Sequence, residues 1–147
     1  MQPSSVDERA SLILTRIFAV APEKVWRAWT DPDALRIWWN QADSPGWIGE
    51  LDVRAGGRYR VVIKDPEGVY HDVRGVYREV VPNRKLVFTW NLHDGPPERE
   101  SVVTVELRAT DGGTELQFKQ EPIFDPRSRD GWRGAFKRLG QLLQQTN

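Results

Sequence analysis

The sequence has no cysteine, only two histidines, no excess of charge of either sign and no long apolar run. Each shortage removes a class of chemistry. Without cysteine there is no disulfide, no thiolate nucleophile and no thiolate-held zinc, a composition suited to a reducing compartment, and the cytoplasm is the expected location. Any imidazole catalysis or histidine-based metal site is confined to His71 and His93. Neither carries an HExxH spacing or a neighbouring acidic cluster, so no metal and no cofactor is expected. The 21 basic and 21 acidic side chains balance to a formal net charge of +0. That leaves no global positive field for phosphates, and nucleic acid is not an expected partner. No stretch is long and apolar enough to span a bilayer, and Met1 to Ala10 is polar, with Asp7 and Glu8 where a signal peptide would be apolar. Membrane insertion is therefore not expected.

What is present is a chain of 147 residues, enough for one core. A single domain over residues 11–147, preceded by a disordered arm at residues 1–10, is the expected organisation, as a monomer or a homodimer. SLILTRIFAV is apolar and β-branched and reads as a strand that ends where Pro22 opens a helix. Val25, Trp26, Ala28 and Trp29 recur at helical spacing, and Asp31 with Pro32 then starts a second short helix in DPDALRIWW, with the aspartate as N-cap. From Trp47 the period becomes two. WIGELDVRA, GGRYRVVIKD, GVYHDVRGVYREVV, RKLVFTWNL, ESVVTVELRAT and GTELQFKQE read as strands joined by Gly, Pro, Asn and Asp clusters. DPEG and Asp111 to Gly113 suit hairpin turns, whereas HDGPPERE reads as a longer mobile loop at the sheet rim. The last element, opening at Asp125 and Pro126, carries Trp132, Ala135, Phe136, Leu139, Leu142 and Leu143 on one stripe, with Arg133, Lys137 and Arg138 turned outward.

One strand, two short helices, about six strands and a long helix bury their apolar faces together only if an antiparallel sheet curls around that helix. The fold class is therefore α+β, a helix-grip arrangement. Alternation assigns Tyr59, Val61 and Ile63 to the inner face, with Val69, His71, Val73 and Tyr77, then Leu86, Phe88 and Trp90, then Val103, Val105 and Leu107. Charged Arg58, Arg60, Lys64, Asp72, Arg74 and Arg78 fall on the opposite face. Five of the seven tryptophans lie between Trp26 and Trp47, either as a ligand gate or as a plug for the wide end of the core. Trp38 and Trp39 diverge by about 100° around a helix end, so at most one faces a cavity.

The residues open to chemistry are few. His71 falls inside with Tyr77 farther along the same face, as a general acid or base oriented by Glu50, Asp52 or Glu79, or as a hydrogen-bonded polar member of a cavity wall. Gly56-Gly57 lacks the spacing of a phosphate loop and suits a turn that needs positive φ. No GxSxG elbow is present.

The corner AWTDPDALRIWW, the turn DVRAGGRYR, the segment GVYREVVPNRKLVFTW, the turn at Gly112 to Thr114 and the pair Gly131-Trp132 together resemble the single-domain relatives of the heat-shock protein 90 ATPase activator homologues. These belong to the START-like (SRPBCC) superfamily. The resemblance runs from about Leu14 to Leu143 and implies a helix-grip fold, with chaperone contact in a stress-response setting as one associated role. START-like domains bind lipids, hormones or polyketides, and some cyclise or dehydrate substrates. The function expected is binding of a small, mostly hydrophobic ligand between sheet and C-terminal helix. Trp38, Tyr59, His71, Tyr77, Phe88, Trp90, Trp132 and Phe136 are the candidate ligand-binding residues. The alternatives are a cyclase- or dehydratase-type enzyme using His71 and Tyr77, and a protein-interaction module with a filled core.

Overall fold

A computed structural model of the chain describes residues 11–39, 48–64 and 67–145, with only the backbone of Ile48 and Gln145. The amino-terminal arm, Trp47 and the Asp65-Pro66 part of the first hairpin lie outside these residues. β1 (Leu12–Phe18) leads into α1 (Pro22–Thr30) and α2 (Pro32–Trp38). β2 (Ile48–Leu51), β3 (Arg58–Lys64), β4 (Tyr70–Val81), β5 (Lys85–Leu92), β6 (Ser101–Thr110) and β7 (Gly113–Glu121) follow, and α3 (Ser128–Gln145) closes the chain. The strands form one antiparallel sheet in the order β1-β7-β6-β5-β4-β3-β2, so the first strand joins the last and the rest is a meander. The sheet curves around α3, the α+β helix-grip arrangement.

Local chemistry sets the corner between the short helices. Prolines occupy the first turn of both, where the missing N–H costs no hydrogen bond. Asp31 ends α1 and caps α2, its Oδ1 accepting from the Asp33 amide at 2.9 Å. The indole N–H of Trp38 donates back to the Ala28 carbonyl at 2.8 Å, tying the two helices together with a buried hydrogen bond.

In the sheet, alternation holds across the inner positions. Tyr59, Val61, Val73, Tyr77, Leu86, Phe88, Val103, Val105 and Leu107 are buried, and Ile63, His71 and Trp90 are half-buried. A register shift between Tyr77 and Glu79 resets the phase, so that Val80 packs inward beyond it. Gly75 faces the Tyr59 ring: a Cβ there would sit 2.5 Å from Tyr59 Cε2 and 2.1 Å from the Thr89 carbonyl oxygen. The absent side chain lets the ring cross the sheet and donate from its hydroxyl to that oxygen at 2.6 Å.

Two expectations are corrected. Val69 is exposed rather than inward, because it precedes β4 in the turn after Gly68, whose φ is +88°. The last helix starts at Ser128, not Asp125; the Asp125 carboxylate accepts from the Arg127 amide at 2.9 Å and forms a turn ahead of the helix. The rim segment after β5 joins β5 to β6 as a longer connection. It holds a 3-10 turn at Pro97–Arg99, and Asn91 Nδ2 donates to the Pro96 carbonyl at 3.0 Å.

Candidate functional site

The middle of the grip is filled. Trp29 lies within 6.4 Å, centroid to centroid, of Trp38, Trp39, Phe88, Phe118, Trp132 and Phe136, in edge-on, tilted and stacked pairs of the kind aromatic quadrupoles favour. The tryptophan-rich corner is thus a plug. Of the sequence-predicted site residues, Trp38, Tyr59, Tyr77, Phe88 and Phe136 are all buried in or beside this packed centre. Burial raises the Tyr59 and Tyr77 phenols above their ordinary values, which keeps both neutral. His71 and Tyr77 stand six residues apart on β4, roughly 20 Å along an extended strand, so the structure does not bring them together. Asp52 pairs with Arg54 and Glu79 with Lys85, and Glu50 lies opposite Arg60 on the outer face. Glu50 is therefore not on the side of the sheet that carries His71. That outer face is a mixed ionic surface, with Asp72 paired to both Arg60 and Arg74.

Space opens instead beside the packed centre, where α3 passes Trp90. Ser128, Gly131, Ala135 and Arg138 are spaced three, four and three residues apart and so form one row on the helix. Three of the four are small. Opposite them stand Trp39, Ile63 and Trp90, and a cavity of about 210 Å3 lies between. A Cβ built on Gly131 would meet nothing within 4 Å. A second cavity, of about 470 Å3, shares Ile63, Trp90, Gln120 and Ser128 with the first and reaches His71 and the rim at Asn91, Arg99 and Phe124. Two sequence-predicted residues, Trp90 and Trp132, stand between these spaces and the core with ring centroids 5.3 Å apart, and His71 borders the outer one.

The polar wall of the first cavity is built by β7. Its inner positions are Thr114, Leu116, Phe118 and Gln120, all buried. An indole N–H can only donate, so the Gln120 Oε1 faces Trp132 Nε1, at 2.9 Å, and the amide nitrogen is left to donate to Ser101 Oγ, at 2.9 Å. These two hydrogen bonds fix the orientation of the Gln120 amide, and Gln120 lines the cavity. Alternation in GTELQFKQE is sufficient to place Gln120 as a polar residue at an inner position, although it is not among the sequence-predicted site residues.

Arg138 corrects another expectation. It does not turn outward: it is half-buried at the end of the small-residue row, its Nε–H donating to the Trp38 carbonyl at 3.2 Å. Its Nη1 lies back over Gly134, 3.6 Å from where a Cβ would be. Burial pulls the guanidinium below its ordinary value, and no carboxylate pairs with it among the described residues. The other cations near the two cavities are engaged. Arg127 pairs with Asp125 at 2.9 Å, and Arg99 lies over the Phe124 ring at 5.0 Å. Trp39, adjacent to the predicted Trp38, is the tryptophan of that pair that faces the cavity. Among the described residues no group of three histidine or acidic side chains could hold a metal ion, and no helix is long and apolar enough to cross a membrane.

This architecture recurs in known proteins. A structure from Chromobacterium violaceum is 28% identical, covering 90% of this chain and 96% of that one, with a TM-score of 0.78. Another, from Mesorhizobium loti, is 29% identical over 93% of this chain and 98% of that one, with a TM-score of 0.74. Among curated proteins, the human Activator of 90 kDa heat shock protein ATPase homolog 1 is 23% identical over 124 residues, 82% of this chain. The chain spans 33% of that relative's length. The family model described as Activator of Hsp90 ATPase homolog 1-like protein matches residues 19–144, and with the corner, the meander and the gripped helix all inside that span, the chain belongs to this family.

Proposed function

We propose that the protein binds a small, mostly apolar molecule in the space between α3 and the β3–β5 part of the sheet, rather than at the filled centre of the grip. The observation that carries this reading is the row of small residues on α3 facing Trp39 and Trp90 across an unfilled cavity of about 210 Å3. The pocket opens to solvent along Gly131, and its largely aromatic and aliphatic lining with a few polar groups is the composition of small-molecule sites. Affinity comes from apolar surface removed from water, at about 25 cal/mol per Å2. Orientation comes from the Gln120 amide and, nearer the rim, from His71. The cyclase or dehydratase alternative needs His71 and Tyr77 on one substrate, and their separation along β4 gives it no support. Chaperone contact remains a second reading, carried by the family description and the name of the human relative; direct titration against Hsp90 addresses it.

Titration with the neutral probe N-phenyl-1-naphthylamine, with amide and indole shifts recorded, tests the cavity reading. Shifts are expected at Trp90, Gln120, Ala135 and the Trp132 indole. Ala135→Leu, which fills the space, is expected to weaken the probe about tenfold or more, which is ~1.4 kcal/mol or more, while the protein stays folded. Shifts confined to the outer face at Arg74 and Arg78, or binding that Ala135→Leu leaves untouched, would sink it.

A further inference from the structure

The cavity beside α3 has one feature that an apolar binding site does not require. Its walls are Trp39, Ile63, Trp90, Trp132 and Ala135 with the amide of Gln120, and Arg138 stands at its end. An arginine stem can cover apolar surface while its head reaches water. Here the head is drawn in: Arg138 is half-buried, and its Nε–H is spent on the Trp38 backbone carbonyl. The terminal N–H groups have no acceptor among the described residues. A guanidinium beside aromatic walls and without an anion is the arrangement that a planar oxyanion completes, because its fork offers parallel donors that match a carboxylate.

Charge around the site agrees. The described side chains that line the inner cavity include no aspartate or glutamate. The nearest carboxylate on the adjoining space, Asp125, is neutralised by Arg127 at 2.9 Å. The outer-face acids, Asp72 and Glu50, are across the sheet on the other side. The row Ser128–Gly131–Ala135 leads from the mouth of the space along the helix to Arg138, so an elongated ligand lying along the row has its apolar body against Trp39 and Trp90 and one end at the guanidinium.

We infer that the ligand of this cavity is a small amphipathic carboxylate, an aryl- or alkyl-substituted acid whose apolar body lies along the Ser128–Gly131–Ala135 row and whose carboxylate pairs with Arg138. This rests on the cavity-binding reading above and specifies its ligand class. Gln120 sits on the opposite wall and takes a neutral acceptor on the ligand, which leaves Arg138 as the only cation among the described residues lining the inner cavity to read charge.

The test uses an isosteric pair, 3-phenylpropionate and 3-phenylpropionamide, titrated into the full chain by calorimetry at neutral pH. The carboxylate is expected to bind about tenfold more tightly than the amide, a difference of ~1.4 kcal/mol. In Arg138→Gln the ratio is expected to fall to near one, and Arg138→Lys should restore part of it, since lysine keeps the charge without the fork. As a readout that needs no variant, the Arg138 Nε–H resonance of the wild type should move with the carboxylate and stay in place with the amide. Equal binding of the two compounds with an unmoved Arg138 resonance overturns the inference and leaves the cavity reading intact. A carboxylate preference that survives in Arg138→Gln also overturns it, by assigning the charge recognition elsewhere. Failure of both compounds and of the neutral naphthylamine probe removes the cavity reading and this inference together.

Discussion

Two faces of the same helix meet the sheet in opposite ways. Along one, Trp132, Phe136, Leu139 and Leu143 are buried, with Trp132 and Phe136 packed against Trp29 and Phe118. Along the next row, Ser128, Gly131 and Ala135 stop short of Trp39 and Trp90, and a cavity remains. The rows are only a fraction of a turn apart. Aromatic rings pinned on the first row therefore hold the helix at a distance that the second row's small side chains cannot fill. Stability and open space come from one element, and the large residues are what keep the small ones apart from the sheet. A core that could relax inward would close such a gap, because unfilled volume costs packing energy.

The comparison is broken most directly from the filled side. Trp29→Ala removes the ring that touches every other aromatic group of the plug, and it is expected to lower unfolding free energy by about 4 kcal/mol, the scale of a buried tryptophan truncation. Chemical denaturation measures it, and a loss under about 1 kcal/mol would mean that the centre is not tightly packed after all.

Between the two regions stands Gln120, whose amide joins Trp132 to Ser101. Gln120→Leu leaves a buried indole N–H without an acceptor and is expected to cost about 2 kcal/mol. Adding Trp132→Phe, which deletes the orphaned donor, should then cost less than it does in the wild-type background, because the two residues share one interaction. Strict additivity in that double-mutant cycle would separate Gln120 from the core and leave it a wall residue alone.

The smallest effect comes from the open side. Gly131 is a helical residue with no positive φ and with nothing within 4 Å of a built Cβ. Gly131→Ala is expected to raise stability by about 0.5–1 kcal/mol through helix propensity and a less flexible unfolded chain, while narrowing the cavity and weakening the naphthylamine probe. A gain in stability with unchanged probe binding would show that the ligand does not lie along this row. Destabilisation would show that the row is closer to the sheet than described.

Much of this was legible from the residues. Alternation identified the inner face of β3, β4, β5 and β6, because a period of two leaves no choice once one face carries Arg58, Arg60 and Arg74. It failed at Val69, where the strand had not yet begun and the turn after Gly68 points the side chain to solvent. The Trp38–Trp39 pair shows the limit of helical spacing: divergence around the helix says that the two differ but not which one meets the sheet. Both are buried, and it is Trp39 that borders the cavity. For Arg138 the sequence was misleading. A charged residue at the edge of an apolar stripe ordinarily faces water, and here the rotation of α3, together with the Trp38 carbonyl that accepts its Nε–H, turns it to the cavity.

The sequence by itself determined the element order, the antiparallel meander, the inward phase of most strands and the aromatic richness of the core, because these follow from local periodicity and from turn and cap chemistry that act over a few residues. Only the tertiary structure decided where the interior is filled and where it is open. That depends on the rotation and distance of α3 against the sheet, which are set by rings far apart in the chain meeting in space: Trp29 on α1, Trp39 at the end of α2, Phe118 on β7 and Trp132 on α3. No local pattern carries that geometry, since it is the sum of long-range contacts whose free energies become available only when all of them form together.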